Sequence, residues 1–432
     1  MTKITIVGSG SGWGRLYNDI FSYPALKEIT ITLMDIDQRR LELSAGVVEK
    51  FVRQENIPAV VEKTTELSQA LDGADFVIVG IDVGGLEAVR YDNEIPYKYG
   101  IDQCVGDTLG PGGVFKALRL FPHMKKITDT MEKLCPEALL LNYSNPMAIL
   151  TWLLYETSNI KSVGLCHSVQ SVHKPIAEVL GIKDKENIKT YVAGINHQAW
   201  LLECIYKGEN LYPRLREKIE REGLPEKDRV RFEIFRQFGY FVTESSGHNS
   251  EYLPYFRKRK DIIEKFCRPG YEGESLFYMN NIGKWRDRTD KERERLLNSD
   301  EKVPVYERSH EYASGIINAV VTGQSYMFNG NVKNTGLIEN LLDGCCVEVP
   351  CMADGNGIHP CYVGTLPPQC AALNRNCVNV QELTVKGVIN RDKEMIVHAV
   401  MLDPLTAAVL SLEEIRNMVN ELFDKEKDMI DI

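Results

Sequence analysis

Two groups of residues in this 432-residue chain have types and spacing suited to chemistry. The first is Ile4-Thr5-Ile6-Val7-Gly8-Ser9-Gly10-Ser11-Gly12-Trp13-Gly14, an apolar run, a glycine-rich turn and the start of a helix. Glycines let a backbone turn tightly and approach a pyrophosphate, and the free N–H groups of a helix start face it. Asp35 closes the next apolar run, where a carboxylate takes the adenosine ribose hydroxyls and disfavours a 2′-phosphate. Gly8, Ser9, Gly10, Gly12 and Asp35 are therefore candidate dinucleotide residues, with NAD preferred over NADP. Trp13 stands where the third glycine of G-x-G-x-x-G would fall, so a turn that holds some other phosphate stays open.

The second group follows later apolar runs. Cys166 and His197, on what the spacing predicts to be adjacent strand ends, could share a divalent metal and leave positions open for water and substrate oxygens. Taken alone, the pair reads first as a buried thiol and a satisfied histidine. Asn142 and Asn145, in Asn142-Tyr143-Ser144-Asn145-Pro146, suit either a nicotinamide ribose and substrate hydroxyls or the capping of the next helix. Gly106-Asp107-Thr108-Leu109-Gly110-Pro111-Gly112-Gly113 is a lid, a polar pocket wall or a turn.

The elements that must position these residues alternate strand and helix. Ile4–Val7, Ile29–Met34, Phe76–Ile81, Ala138–Leu141 and Val163–Leu165 read as buried strands, and Gln38–Gln54, Val114–Leu134 and Met147–Thr157 as helices. The pattern predicts an α/β fold, a Rossmann-type doubly wound parallel sheet over residues 1–190, with ligands beyond the strands' carboxyl ends. Residues 191–432 read as a mixed α+β substrate domain that closes over the sheet, as in lactate and malate dehydrogenases. The charge run Lys284–Arg295 reads as a solvated helix or loop.

Composition excludes several classes. Lys+Arg is 51 against 61 Asp+Glu, a net charge of −10, which argues against a nucleic-acid partner. No apolar run approaches the ~18–20 residues of a membrane span. The first residues run straight into a strand without a leader pattern, so a cytoplasmic protein is expected. Its eleven cysteines show no zinc-finger spacing and are expected to be free thiols. The N-terminal half alone also allows a 2-hydroxy-acid dehydrogenase or a non-enzymatic NAD-binding protein.

The motifs together resemble glycoside hydrolase family 4, the NAD- and metal-dependent glycosidases. GSGSGWG with LMDID, GDTLGPGG, LNYSNPM, GLCHSVQ, AGINHQAW and ESSGHNSEYLPYF stand in family order within the first 256 residues. CHSVQ and AGINH are most similar to the α-galactosidase branch; α-glucosides and α-uronides remain alternatives, and a 6-phosphosugar is disfavoured. The resemblance implies oxidation at C3 of the sugar by NAD⁺, removal of the C2 proton, elimination at C1, water addition and return of the hydride. It implies Mn²⁺ or another divalent metal on Cys166 and His197, Tyr252 as the C2 base, and His167 as an aid to the leaving group. Asn145, Arg90, Asp107 and His248 are implied as substrate contacts, with Glu251 beside the base. A small α-glycoside is the implied partner, and a homodimer or homotetramer the implied assembly.

Overall fold

The computed structural model describes residues 1–10 and 15–432. Gly12, with the rest of 11–14, lies outside the described residues.

Six parallel strands form the first half: β1 (Lys3–Val7), β2 (Thr30–Met34), β3 (Val60–Thr64), β4 (Phe76–Val79), β5 (Leu139–Asn142) and β6 (Ser162–Gly164). Their spatial order is β3-β2-β1-β4-β5-β6, every pair parallel. This is the order of a dinucleotide-binding sheet, in which the strand order reverses between β1 and β4 and opens a crevice there. Strands β1, β2 and β4 are buried almost throughout because helices cover both faces. One of these, α1 (Gln38–Gln54), buries Leu41, Ala45, Val48 and Val52 at helical spacing. It starts at Asp37, whose side chain accepts from the Arg40 N–H.

Helices α2 (Gly85–Lys98), α3 (Gly110–Leu134) and α4 (Met147–Thr157) complete the layers. Helix α3 begins four residues before the predicted Val114, inside the glycine-rich loop. A Cβ on Gly112 would sit 2.4 Å from the Gly106 carbonyl oxygen, so the loop folds against the first turn of α3 only with glycine there. Pro122 lies within α3.

The second half mixes strands and helices, as expected. It extends the same sheet with antiparallel strands. These are β7 (Ile188–Ile195), β8 (Gln198–Tyr206), β9 (Glu209–Asn210), β10 (Phe241–Val242), β11 (Tyr326–Lys333), β12 (Cys346–Asp354) and β13 (Gly357–Pro360). Beyond β6 the order runs β11-β12-β7-β8-β10, with β9 on β8 and β13 on β12. The strands that precede Cys166 and His197 are therefore not neighbours: the β11–β12 hairpin, from more than a hundred residues later in the chain, is inserted between β6 and β7. Three strand spacings of about 4.8 Å separate β6 from β7.

Helix α5 (Ser246–Tyr252) follows β10, and α6 (Phe277–Leu297) carries the charge run. That run is solvated on one face only. Asp290, buried, pairs with Arg40 at 3.3 Å and Arg39 at 3.6 Å on α1. Arg293 donates to the Gly10 carbonyl at 3.0 Å, and Lys50 donates to the Leu296 carbonyl at 2.6 Å. Helix α6 thus crosses from the second half onto the glycine turn of the first. The C-terminal helix α7 (Leu412–Glu426) opens with a capping box at Ser411 and Glu414. One apolar core spans both halves, with a smaller cluster under β7 and β8.

Candidate active site

At the dinucleotide end, Gly8 has φ +86°, and a Cβ there would lie 2.3 Å from the Gly80 carbonyl oxygen. Only glycine fits this close passage of β1 past β4. Asp35 accepts the Gly10 N–H at 2.8 Å and the Asp37 N–H at 2.9 Å, which ties the end of β2 to the turn. The buried Ser9 hydroxyl has no hydrogen-bond partner among the described residues. A cramped glycine turn and a carboxylate at the β2 end fit a dinucleotide.

The other end is built of side chains. Cys166 follows β6, and His197 is the second residue of the two-residue turn joining β7 to β8. Glu244 lies between β10 and α5. One donor atom from each of the three lies within 4.8 Å of the other two, and His197 Nε2 is 3.3 Å from Glu244 Oε2. His197 has φ +61° and Glu244 φ +67°, a backbone region costly for residues with side chains. Strain of this kind persists where surrounding structure fixes a functional geometry. A thiol, an imidazole and a carboxylate converging at this range are a mixed donor set suited to a divalent transition metal.

Electrostatics agree with that reading. Burial pushes the Cys166 thiol up, and Glu348 and Glu244 push it further, so without a cation it stays protonated. Burial also raises Glu244, but His197 and His248 outweigh it and hold the carboxyl at about 2. For Asp107, burial is again overcome, by Lys116 at 3.1 Å with His248 and His197, and the carboxyl lies well below its ordinary range.

Tyr252 is buried, its hydroxyl 3.0 Å from His197 Nδ1 and 2.7 Å from His248 Nδ1. Burial, then Glu251, Glu244 and Asp107, raise its hydroxyl well above 10. Glu251 accepts the N–H groups of Cys104 and Val105 at 2.6 Å and Gly106 at 3.0 Å, so it pins the loop that carries Asp107.

A cavity of about 950 Å³ is lined by Cys166, His197, Glu244, His248, Asp107 and Asn145, with the exposed His167 at its wall. A second cavity of about 290 Å³ runs along Gly10, Gly80 and Arg40 and shares Asp107 and Asn145 with the first. These two residues therefore stand where the dinucleotide end meets the metal end.

Two expected site residues lie elsewhere. Asn142 is fully buried; its side-chain oxygen accepts the Ser144 N–H at 2.9 Å, so it shapes the turn after β5 instead of facing a ribose. Arg90 stands exposed on α2, 3.6 Å from Glu94 one helical turn on, and lines neither cavity. The sequence reading also missed two residues. Glu244 sits inside a quoted motif, with no local signal to separate it from its neighbours. Glu348 left a readable one: a charge in the middle of the apolar strand Cys346-Val347-Glu348-Val349.

Comparison with known proteins decides the family. The sequence model of the family 4 glycosyl hydrolases matches residues 3–182, and that of the family 4 glycosyl hydrolase C-terminal domain matches residues 192–406. The chain belongs to glycosyl hydrolase family 4. It is 41% identical to an α-galactosidase of Bacillus subtilis (strain 168), over 100% of this chain and 99% of that one. It is 37% identical to an α-galactosidase of Rhizobium meliloti (strain 1021), over 97% of this chain and 87% of that one. The 6-phospho-β-glucosidase of Thermotoga maritima, solved with manganese, NAD⁺ and glucose-6-phosphate, shares the fold. Its TM-score is 0.81 at 21% identity, with all of both chains covered.

Proposed function

We propose that this family 4 hydrolase is an α-galactosidase that works with NAD⁺ and a divalent cation such as Mn²⁺. The observation that carries the substrate class is the 41% identity, end to end, with an α-galactosidase. Support for the cofactors comes from the glycine turn tied to Asp35 and from the Cys166–His197–Glu244 cluster. When bound, NAD⁺ supplies a hydride acceptor and the cation supplies positive charge for oxygens of the sugar.

The protein's own residues do the rest. Asp107 and Asn145, on the wall common to both cavities, orient the sugar between the dinucleotide and the metal ligands. Tyr252 Oη is the atom at which the C2 proton is taken up, and the imidazoles of His197 and His248 that hold it relay that proton. Three nearby carboxylates and burial keep Tyr252 protonated, so its use as a base depends on positive charge arriving at the cluster. His167, at the wall of the larger cavity, is placed to serve the departing group. A division of labour near residue 190 is supported by the change from parallel to antiparallel pairing. Residues 1–190 hold the dinucleotide and Cys166, and 191–432 bring His197, Glu244 and Tyr252.

The test is hydrolysis of an aryl α-galactoside by purified protein with NAD⁺, Mn²⁺ and a thiol reductant, beside the α-glucoside and α-galacturonide. Turnover highest on the galactoside, with deuterium from D₂O appearing at C2, is expected. Unchanged hydrolysis after removal of both metal and NAD⁺ would overturn the reading.

A further inference from the structure

One buried group beside the metal cluster has no part in the scheme above. Gly164, Asn331, Glu348 and Gly194 form a single row across four strands, from β6 through β11 and β12 to β7. The row starts two residues before Cys166 and ends three residues before His197. Each end of the inserted hairpin touches its neighbour through one register pair only, and Asn331 and Glu348 are the residues that make those pairs.

Glu348 is 0% exposed, neither carboxylate oxygen has a hydrogen-bond partner within 3.5 Å among the described residues, and the Asn331 side chain across the row is the one uncharged polar neighbour that eases its burial. The charges that act on it are those of His197 and Glu244, and it acts in turn on Cys166. No lysine or arginine is among them. A carboxylate taken fully out of water with no lysine or arginine to pair with it is costly enough that folds rarely keep one. An apolar residue of similar size would serve β12 better unless something arriving at the cluster offsets the cost. Glu348 does not belong to the group of donor atoms that lie within 4.8 Å of one another, so it is not placed as a direct ligand.

We propose that Glu348 is a positioning residue for the divalent cation: in the strand row that joins the strands before Cys166 and His197, its buried carboxylate would deepen the site for a divalent ion through its charge and through hydrogen bonds to the cation's outer partners. This rests on the reading that Cys166, His197 and Glu244 hold such an ion. Partners of this outer kind typically change metal affinity by about 10- to 100-fold.

The experiment is a Mn²⁺ titration of the wild type and Glu348→Gln, followed by electron paramagnetic resonance of free Mn²⁺, with melting temperatures taken with and without metal. Glu348→Gln is expected to bind Mn²⁺ about 10- to 100-fold more weakly. Without metal it should melt at the wild-type temperature or higher, because a buried charge has been removed from an otherwise equal shape. Glu348→Asp, which keeps the charge, should bind more tightly than Glu348→Gln. Equal Mn²⁺ affinity in the wild type and Glu348→Gln overturns the proposal, as does equal weakness of the Asp and Gln variants. A wild type that binds no Mn²⁺ overturns the metal site itself, which separates that failure from this one.

Discussion

The molecule buries charge in two places and treats it in opposite ways. Between α2, α3 and α7, Arg119 donates to both oxygens of Asp92, at 2.9 and 2.6 Å, and also to Glu426. All three are almost fully buried. The positive group is a side chain of the chain itself, fixed in place, and the cluster ties the C-terminal helix to the first half. At the head of β6 and β7 no lysine or arginine answers the acids: Glu244 is held by His197, His248 and the Ser245 N–H, and the fully buried Glu348 has His197 and the Asn331 amide as the groups that ease its burial. Charge answered from within the chain is architecture; charge left unanswered, on strained backbone and beside a cavity, is a site shaped for something brought in from solution.

The largest effect should come from emptying the second cluster. Glu244→Gln is expected to lower kcat/KM on the aryl galactoside by about 10³-fold or more, because a cation's charge stabilisation is worth several kcal/mol. Mn²⁺ affinity should fall with it while the melting temperature holds. Activity within tenfold of wild type would erase the distinction between the two clusters. Breaking the first should act on stability instead. Arg119→Met strands two buried carboxylates and should cost about 3–5 kcal/mol in urea denaturation, with kcat per folded molecule unchanged.

The same cluster should leave a mark on pH dependence. Burial pushes the Glu426 carboxyl up to about 8, with Asp92 adding to the shift and Arg119 opposing it. A folded state that keeps its proton above the unfolded value of about 4.5 loses stability as pH rises from there to about 8, at no more than ~1.4 kcal/mol per pH unit. Glu426→Gln should flatten that decline, and a decline of unchanged slope would show that another group carries it.

The two clusters also differ in what a reader of the sequence can see. The parallel half was legible because each βα unit announces itself locally: an apolar strand, a turn, an amphipathic helix, as with Ile4–Val7 and Gln38–Gln54. Cys166 and His197 were legible as a pair, but their setting was not. Register pairing between strands over 150 residues apart in the chain puts β11 and β12 between them, and nothing in the local pattern near Cys166 records that insertion. Glu244 was missed because its value comes from a left-handed backbone turn that no glycine or asparagine advertises. Arg90, assigned to the sugar through the family resemblance, stands outward on α2 and lines neither cavity of this chain. The run Lys284–Arg295 was read as solvated, yet Asp290 and Arg293 face α1 and the glycine turn.

The dinucleotide end offers a third case, in which position depends on the absence of a side chain. Gly8→Ala places a Cβ 2.3 Å from the Gly80 oxygen at φ +86°. About 1–3 kcal/mol of destabilisation is expected, together with weaker NAD⁺ binding by fluorescence titration. Mn²⁺ affinity should not change, since the cluster hangs from β6, β7 and β10. A variant that lost metal and dinucleotide together would mean that the two ends are coupled through the wall they share, and the contrast between them would have to be redrawn around Asp107 and Asn145.

The smallest effect is expected at Arg90. Its partner Glu94 is 3.6 Å away, and both side chains are about half exposed, at 53% and 52%. An exposed pair one helical turn apart is worth about 0.3–0.5 kcal/mol, and salt screens most of that. Arg90→Ala should therefore leave the melting temperature within a degree or two and KM for the galactoside unchanged. Within one chain the guanidinium lines neither cavity. A tenfold rise in KM at constant kcat would mean that Arg90 reaches sugar in the pocket of a second copy of the chain. The outer face of α2 would then belong with the unanswered charges at the site, not with the satisfied surface.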